Sequence, residues 1–241
     1  MAGGTPTGLP EGPDKTRAVK AMFDTIAPRY DLVNGLMTFG RDRRWRQATV
    51  AALGLGLGAV VADLACGTGA LSASAARAGL VPLGFDLSAG MLAASRASAP
   101  RVRADVASLP LPDGGVDGVT CGFALRNLVD LDAFVTEMAR IVRPGGRIAV
   151  LEVSEPSNPA LRLGHRFYFG HVVPRIGAAL SDRDAYRYLP RSVAYLPPAP
   201  TLIRLLVAAG FPDARRRALS GGIVQLLTGT RESPSQGAAE R

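Results

Sequence analysis

Apolar positions recur at helical spacing through residues 16–26 and again through 41–53, where Trp45 falls on the apolar face. Gly54, Gly56 and Gly58 stop the second helix. From residue 60 the pattern changes. Short apolar runs at 60–64, 81–85, 102–104, 118–123 and 147–153 read as strands. Helical stretches at 70–78, 89–98 and 132–142 stand between them, and Ser88 is placed to cap the second. Pro144-Gly145-Gly146 reads as a turn before the fifth strand. Strands alternating with helices predict a parallel sheet covered on both faces. After Glu155 the alternation breaks. Residues 158–189 are helical but interrupted by Pro174 and Gly177, and 201–209 are helical again. Residues 216–219 and 222–229 close the pattern as two strands joined by Ser220-Gly221, an antiparallel hairpin. The expected fold is α/β: a seven-stranded, mostly parallel sheet with helices on both faces and a C-terminal hairpin. Residues 158–198 exceed a plain connection and read as a helical cap inserted after the fifth strand.

Composition supports one folded unit. The chain has 241 residues, 47% hydrophobic and 20% charged, which suits a single domain over 15–231. The Gly/Pro-rich leader 1–14 and the tail 232–241 are expected to lack order. Cys66 and Cys121 make no disulfide framework, so a reducing compartment is expected. No apolar run approaches the ~20 residues a membrane span needs, and the leader has no secretory core. The expected location is cytoplasmic. His165 and His171 stand without neighbouring Cys or carboxylate, so no metal site is expected. The net charge is +8, and of 28 basic residues only Lys15 and Lys20 are lysines. That bias has two readings, a GC-rich coding preference and a basic surface for an anionic membrane or nucleic acid.

The loop after the first strand carries the chemistry. Gly67, Thr68 and Gly69 turn it into a helix whose N-terminus offers free N–H groups. Asp86 ends the second strand, where an acid accepts hydrogen bonds from ribose hydroxyls, and Asp105 ends the third. A dinucleotide fingerprint would place a third glycine at Ser72, and no Walker lysine follows. Asp63, four residues before Gly67, would repel a pyrophosphate and welcome an ammonium. A nucleoside bearing a cationic amino acid fits these demands, namely S-adenosylmethionine.

The loop Asp63-Leu64-Ala65-Cys66-Gly67-Thr68-Gly69, the acid Asp86 and the Pro-Gly-Gly turn resemble the class I S-adenosylmethionine-dependent methyltransferases. Narrower motifs resemble the quinone C-methyltransferases, which act on demethylmenaquinone and ubiquinone precursors. These motifs are Tyr30-Asp31-Leu32-Val33-Asn34 through Gly40 with Trp45, Gly122-Phe123-Ala124-Leu125-Arg126-Asn127, and residues 140–156 with Glu152, Ser154 and Pro156. Residues 185–192 and Gly221-Gly222-Ile223-Val224 complete them. The likeness runs from Val19 to about Arg231. It departs at Asp42, often His in that family, at Gly122, usually Ser, at Ala124, usually Gly, and at Gln225 and Leu227, commonly Ala and His.

The resemblance implies a Rossmann-like sheet with an N-terminal helical lid. It implies S-adenosylmethionine as methyl donor, held by Asp63, Gly67, Thr68, Gly69, Asp86, Asp105, Val106 and Gly122. It also implies methylation of a ring carbon of a prenylated quinol, most simply demethylmenaquinol. Carbon attacks the methyl best from a phenolate, so the site must align the ring and stabilise or create the anion. Arg126 suits the oxyanion role, or else pairs with a carboxylate such as Asp130. Asn127 suits orientation of the ring or a water, and Tyr30 suits substrate contact or lid packing. Glu152 and Ser154 read either as pocket-facing or as structural. Arginines among the apolar residues of the cap suit a prenyl tail drawn from an anionic membrane, and equally an ordinary packed cap. A homodimer is allowed; nucleic acid is not an expected partner. Other readings stay open: a paralogue methylating another aromatic, a nucleic-acid methyltransferase, and a non-catalytic binder of S-adenosylmethionine.

Overall fold

Residues 12–53 are largely helical because their apolar positions keep a period near 3.6. The computed structural model describes residues 11–182, 185, 188 and 191–233. Helix α1 runs Gly12–Ile26 with Pro13 in its first turn, α2 runs Tyr30–Met37, and α3 runs Asp42–Leu53. Residues 12–14, read from the sequence as leader, therefore belong to α1, since proline is preorganised for a first helical turn. Residues 1–10 and 234–241 lie outside the described residues. Gly54 ends α3 in the left-handed conformation at φ +61°.

The alternating region forms β1 Val60–Leu64, α4 Ala70–Arg77, β2 Val81–Asp86, α5 Ala89–Ala94, β3 Arg101–Arg103 and β4 Val116–Gly122. It continues with α6 Leu131–Ile141 and β5 Val142–Val153. The cap contributes α7 Pro159–Phe167, a π-turn Tyr168–Val172 and α8 Val173–Leu180. Then come α9 Ala199–Ala208, β6 Arg215–Leu219 and β7 Val224–Thr230. The seven strands lie in the order β3-β2-β1-β4-β5-β7-β6. All neighbours pair in parallel except β7, which is antiparallel to β5 and β6. Strand order reverses beside β1, so β1 and β4 end at the crevice where ligands of such sheets sit.

Three expectations change. The helix expected over 89–98 stops at Ala94. Ser95 turns extended, and its Oγ accepts hydrogen bonds from Ala97 N at 3.3 Å and Arg101 Nη1 at 3.2 Å, which compete with helix. The Pro-Gly-Gly segment is an irregularity inside β5, not a turn before it. Val116 pairs with Val142, then Gly118 with Arg147, and a Cβ at Gly146 would meet Asp117 O at 2.7 Å. The hairpin is not closed by Ser220-Gly221 alone. Leu219 pairs with Val224, and four residues close the turn, with Gly221 and Gly222 at φ +70° and +95°.

The core lies on both faces of the sheet. One face packs Phe134, Met138 and Ile141 of α6 with Leu202 and Leu206 of α9, Phe211 and Leu227. The other packs Val50 and Leu53 of α3 with Leu71 and Ala75 of α4, Ala149 and Leu226. Leu226 and Leu227 alternate between the faces, as strand geometry dictates. Burial of each such side chain stabilises the fold by about 1.5–3 kcal/mol. Among the described residues, no helix is long and apolar enough to cross a membrane.

Candidate active site

Two cavities open at the carboxyl end of the central strands. The larger, about 430 Å³, is walled by Trp45, Leu71, Phe123, Leu151, Tyr168, Phe169 and Val224, and Arg126 is set among them. The smaller, about 220 Å³, is lined by Asp86, Ser88, Asp105, Val106, Asn127 and Phe134. Tyr30, Ala65, Gly67, Gly122 and Phe123 line both, so the cavities meet at the ends of β1 and β4.

The loop between β1 and α4 needs left-handed backbone. Gly67 has φ +54° and Gly69, the N-cap of α4, has φ +80°. A Cβ on Gly69 would meet Ala97 Cβ and Ser95 Oγ at 2.8 Å, so space as well as conformation selects glycine there. Asp86 reaches back to this loop. Its Oδ2 accepts from Gly67 N at 2.8 Å and its Oδ1 from Ser88 N at 2.8 Å. Each oxygen keeps lone-pair capacity for a hydroxyl. Burial raises its pKa above the ordinary carboxylate value. Asp105 lies beyond β3, which ends at Arg103, and its Oδ1 accepts from Ala107 N at 3.0 Å. Asp105 and buried Val106 face the smaller cavity.

Asp63 departs from its expected role. The side chain is 1% exposed. Its Oδ2 accepts from Ser72 N at 2.8 Å and Ser72 Oγ at 2.6 Å, and its Oδ1 from Thr120 Oγ1 at 3.0 Å. Burial, opposed by these bonds, raises its pKa to about 6. Asp63 borders the larger cavity, but its carboxylate braces β1, α4 and β4 and is not a free partner for an ammonium. Ser72, which stands in place of a third glycine, supplies two of the three donors.

Arg126 and Asn127 sit side by side in the turn Leu125–Asn127 and face different cavities. Arg126 is 7% exposed, and its Nη1 pairs with Oε1 of fully buried Glu152 on β5. Asp130, expected as the alternative partner, instead caps α6 by accepting from Ala133 N at 2.8 Å. Glu152 is thus the structural mate of Arg126, and the guanidinium keeps donors for the larger cavity. Asn127 accepts from the Tyr188 hydroxyl at 3.3 Å and donates to Phe123 O at 3.4 Å. The sequence reading gave both residues to the quinol; only Arg126 lines the apolar cavity. Phe123, which leads into this turn, holds φ +60°, a strained value for a bulky residue. Ser154 accepts from Arg216 Nη2 at 2.8 Å. Of the motif at 185–192, Ala185, Tyr188, Arg191 and Ser192 are among the described residues, and the other four positions lie outside them.

The lid lies over this crevice. Thr68 Oγ1 donates to Asp31 Oδ1 on α2 at 2.7 Å. Half-buried Tyr30 faces both cavities; burial raises its pKa, against the Asn34 side chain and Arg126. Two further clasps have no signature in the sequence. Asp24 Oδ1 accepts from Ser88 Oγ at 2.6 Å and Gly90 N at 2.8 Å. Burial works to raise its pKa, but the bonds from Ser88, Lys20 and Gly90 prevail and bring it to about 2. Lys15, 5% exposed, donates to Leu128 O at 2.7 Å and lies 3.8 Å over the Tyr195 ring. Burial lowers its pKa to about 8, against Glu11. His165, also absent from the expected site, lines the larger cavity, and its ring lies tilted against that of Phe169 at 4.4 Å. Its Nε2 is buried without a hydrogen-bond partner, and burial lowers its pKa, so the ring is neutral near pH 7.

A doubly covered sheet, a glycine turn at a strand end and an acid on the next strand define a Rossmann-like S-adenosylmethionine-dependent methyltransferase. The donor set fits that nucleoside, since Asp86, Asp105 and Val106 converge on the smaller cavity. Solved structures agree in fold. A S-adenosylmethionine-dependent methyltransferase from Thermotoga maritima aligns with a TM-score of 0.63 at 16% identity, covering 89% of this chain and all of that one. Phosphoethanolamine N-methyltransferase 2 from Haemonchus contortus, solved with S-adenosylmethionine, aligns with a TM-score of 0.58 at 13% identity over 78% of this chain. The chain spans about half of that protein, 52%. The sequence model of the ubiE/COQ5 methyltransferase family matches residues 12–231, and the chain belongs to that family. A ubiquinone/menaquinone biosynthesis C-methyltransferase from Syntrophotalea carbinolica is 42% identical over 227 residues, covering 89% of this chain and 94% of that protein. A demethylmenaquinone methyltransferase from Mycolicibacterium paratuberculosis is 43% identical, covering 87% and 92%.

Proposed function

We propose that this chain methylates a ring carbon of a prenylated quinol, converting demethylmenaquinol to menaquinol. The observation that carries this reading is the apolar cavity of about 430 Å³ with one buried, Glu152-braced arginine in its wall. A flat aromatic ring with an apolar tail fits those walls, and a developing phenolate fits that guanidinium.

Bound S-adenosylmethionine supplies an electrophilic methyl group. Asp86 would accept hydrogen bonds from the ribose hydroxyls, Asp105 and Val106 would border the base, and the Gly67–Gly69 turn would admit the ligand's approach. Thr68 ties the loop to Asp31 and so holds the lid down. Arg126 would stabilise the phenolate left when the quinol loses a proton; resonance shares that charge with the neighbouring ring carbon, which takes the methyl and then sheds its hydrogen as a proton to restore the aromatic ring. Glu152 fixes the guanidinium so that little reorganisation accompanies the reaction. Tyr30 packs where the cavities meet and orients the ring; Asn127 steadies the cofactor side. The apolar walls exclude water and strengthen each of these contacts.

The protein would work in the cytoplasm at the inner face of the cell membrane, where such quinols reside. This reading needs neither nucleic acid nor a second copy of the chain. Two of the family departures lose their weight for a different substrate. Leu227 packs in the core beside α6 and α9, and Gln225 bonds Arg216 and Val153 O. Neither lines the larger cavity. The test is transfer from labelled S-adenosylmethionine to a panel of a short-tailed demethylmenaquinol, a benzoquinol precursor and unprenylated phenols. Label in the naphthoquinol alone is the expected result. Label only in an unprenylated phenol would replace this reading with a paralogue's.

A further inference from the structure

We propose that the mouth of the larger cavity is a membrane-docking edge, resting on a bilayer with anionic head groups and admitting substrate sideways from the lipid. The quinol reading above supplies the substrate, but the surface is argued independently.

Two apolar stripes run along segments that also line the cavity, α2 with its closing turn and α7. Leu32, Leu36 and Phe39 follow i, i+4, i+7 spacing along α2 and its closing turn, and are 59%, 48% and 75% exposed. On α7, Leu163 and Phe167 stand four apart and are 73% and 62% exposed. They point away from the cavity that Leu161 and His165 line. The stripes belong to one rim. Tyr168, next to Phe167, donates to Met37 O at 2.9 Å, and its ring lies 5.9 Å from that of Phe39. Among the described residues, six of the eleven large hydrophobic side chains left exposed lie on these two segments. Scattered exposure of this kind is ordinary, but clustering about a cavity mouth marks an interaction surface. Phe39 adds a second sign. Its φ of +52° is strained for a bulky residue, and the strain holds an aromatic ring out in solvent. The contact with Tyr168 leaves three-quarters of the residue uncovered, and insertion into lipid would cover it.

Charge selects the occupant. Exposed Arg41 lines the mouth beside Phe39, and exposed Arg166 and Arg175 flank the Phe167 stripe. The neighbouring acids are engaged, Asp31 by Thr68, Asp42 by Arg46 and Glu155 by Arg166. Arg41 and Arg175 form no ion pair among the described residues. Apolar side chains ringed by guanidinium groups suit the boundary between acyl chains and anionic head groups.

Flotation with vesicles of phosphatidylcholine, with and without phosphatidylglycerol, tests this. The chain should float with the phosphatidylglycerol vesicles, and less so as salt rises. A Leu163→Ser/Phe167→Ser variant should lose that binding by about tenfold or more. Neither residue lines a cavity, so the variant should methylate a soluble, tail-less quinol at the unaltered rate. Three results would overturn the proposal: a variant that floats like the parent, a parent that ignores both vesicles, or a variant that merely dissolves a dimer. Vesicle binding without methylation of any quinol would instead sink the substrate reading and leave the edge standing.

Discussion

At the residue scale, Arg126 and Glu152 are the pair on which the proposed chemistry turns. Both are buried, and among the described residues neither forms an ion pair with any other charge (Asp130 caps α6 instead). Removing one partner leaves a buried charge alone. Glu152→Gln should therefore destabilise the fold by about 3 kcal/mol, a fall of roughly 6–12 °C in Tm. Removing both charges is far gentler. The double variant Arg126→Gln/Glu152→Gln should melt near the parent temperature yet lose about 10²–10³-fold in methyl transfer. A double variant that is stable and fully active would remove Arg126 from the mechanism. The sequence exposed Arg126 because it follows a strand end in a specific motif. Its partner stayed hidden because Glu152 is adjacent only through the β4–β5 register. Asp63 shows the converse. Its position was plain, but its role was not, since Ser72 and Thr120 reach it only in the folded chain.

At the scale of elements, the lid and the glycine loop act together. Thr68→Val cuts the bond to Asp31 while keeping the side chain's shape. We expect a several-fold weaker Kd for S-adenosylmethionine by calorimetry, with Tm lowered by only about 1 kcal/mol worth of stability. An unchanged Kd would mean that the lid closes without this bond. Lys15 offers a cleaner reading, because the chain has only two lysines. One Nζ signal should titrate near 8 in the folded protein, against 10.5 for a free lysine. The folded state then binds fewer protons than the unfolded one between those values, so this group adds stability as pH rises from about 8 to 10.5. Both signals titrating near 10.5 would mean that the clasp onto Leu128 and Tyr195 is open in solution. Strands β1, β2 and β4 were legible because apolar runs, glycines and acids mark their ends. The stop of α5 at Ala94 and the four-residue hairpin turn were not. Each depends on a local contest, Ser95 against the helix and two positive-φ glycines against a tight turn.

At the scale of the molecule, the sheet order sets the site. Reversal beside β1 opens the crevice, and the lid and cap convert it into two cavities that meet at Gly122 and Phe123. The alternation of strands and helices predicted that crevice. Its division into two chambers, with Asp86 and Asp105 in one and Arg126 in the other, could not be read along the chain, because α1, α2, α7 and β7 reach it from distant segments. Nor could the sorting of Arg126 and Asn127 to opposite sides, since consecutive residues of a tight turn diverge only in three dimensions. The central claim is that carbon, not oxygen, receives the methyl, because Arg126 stabilises the phenolate without blocking its ring. The direct measurement uses S-adenosylmethionine carrying a ¹³C-methyl group and short-tailed demethylmenaquinol under reducing conditions, with NMR of the product. A single labelled methyl on the quinol ring carbon, lost in the stable Arg126→Gln/Glu152→Gln variant, is the predicted result. A labelled methyl ether, or ring methylation undiminished in that variant, would contradict the account.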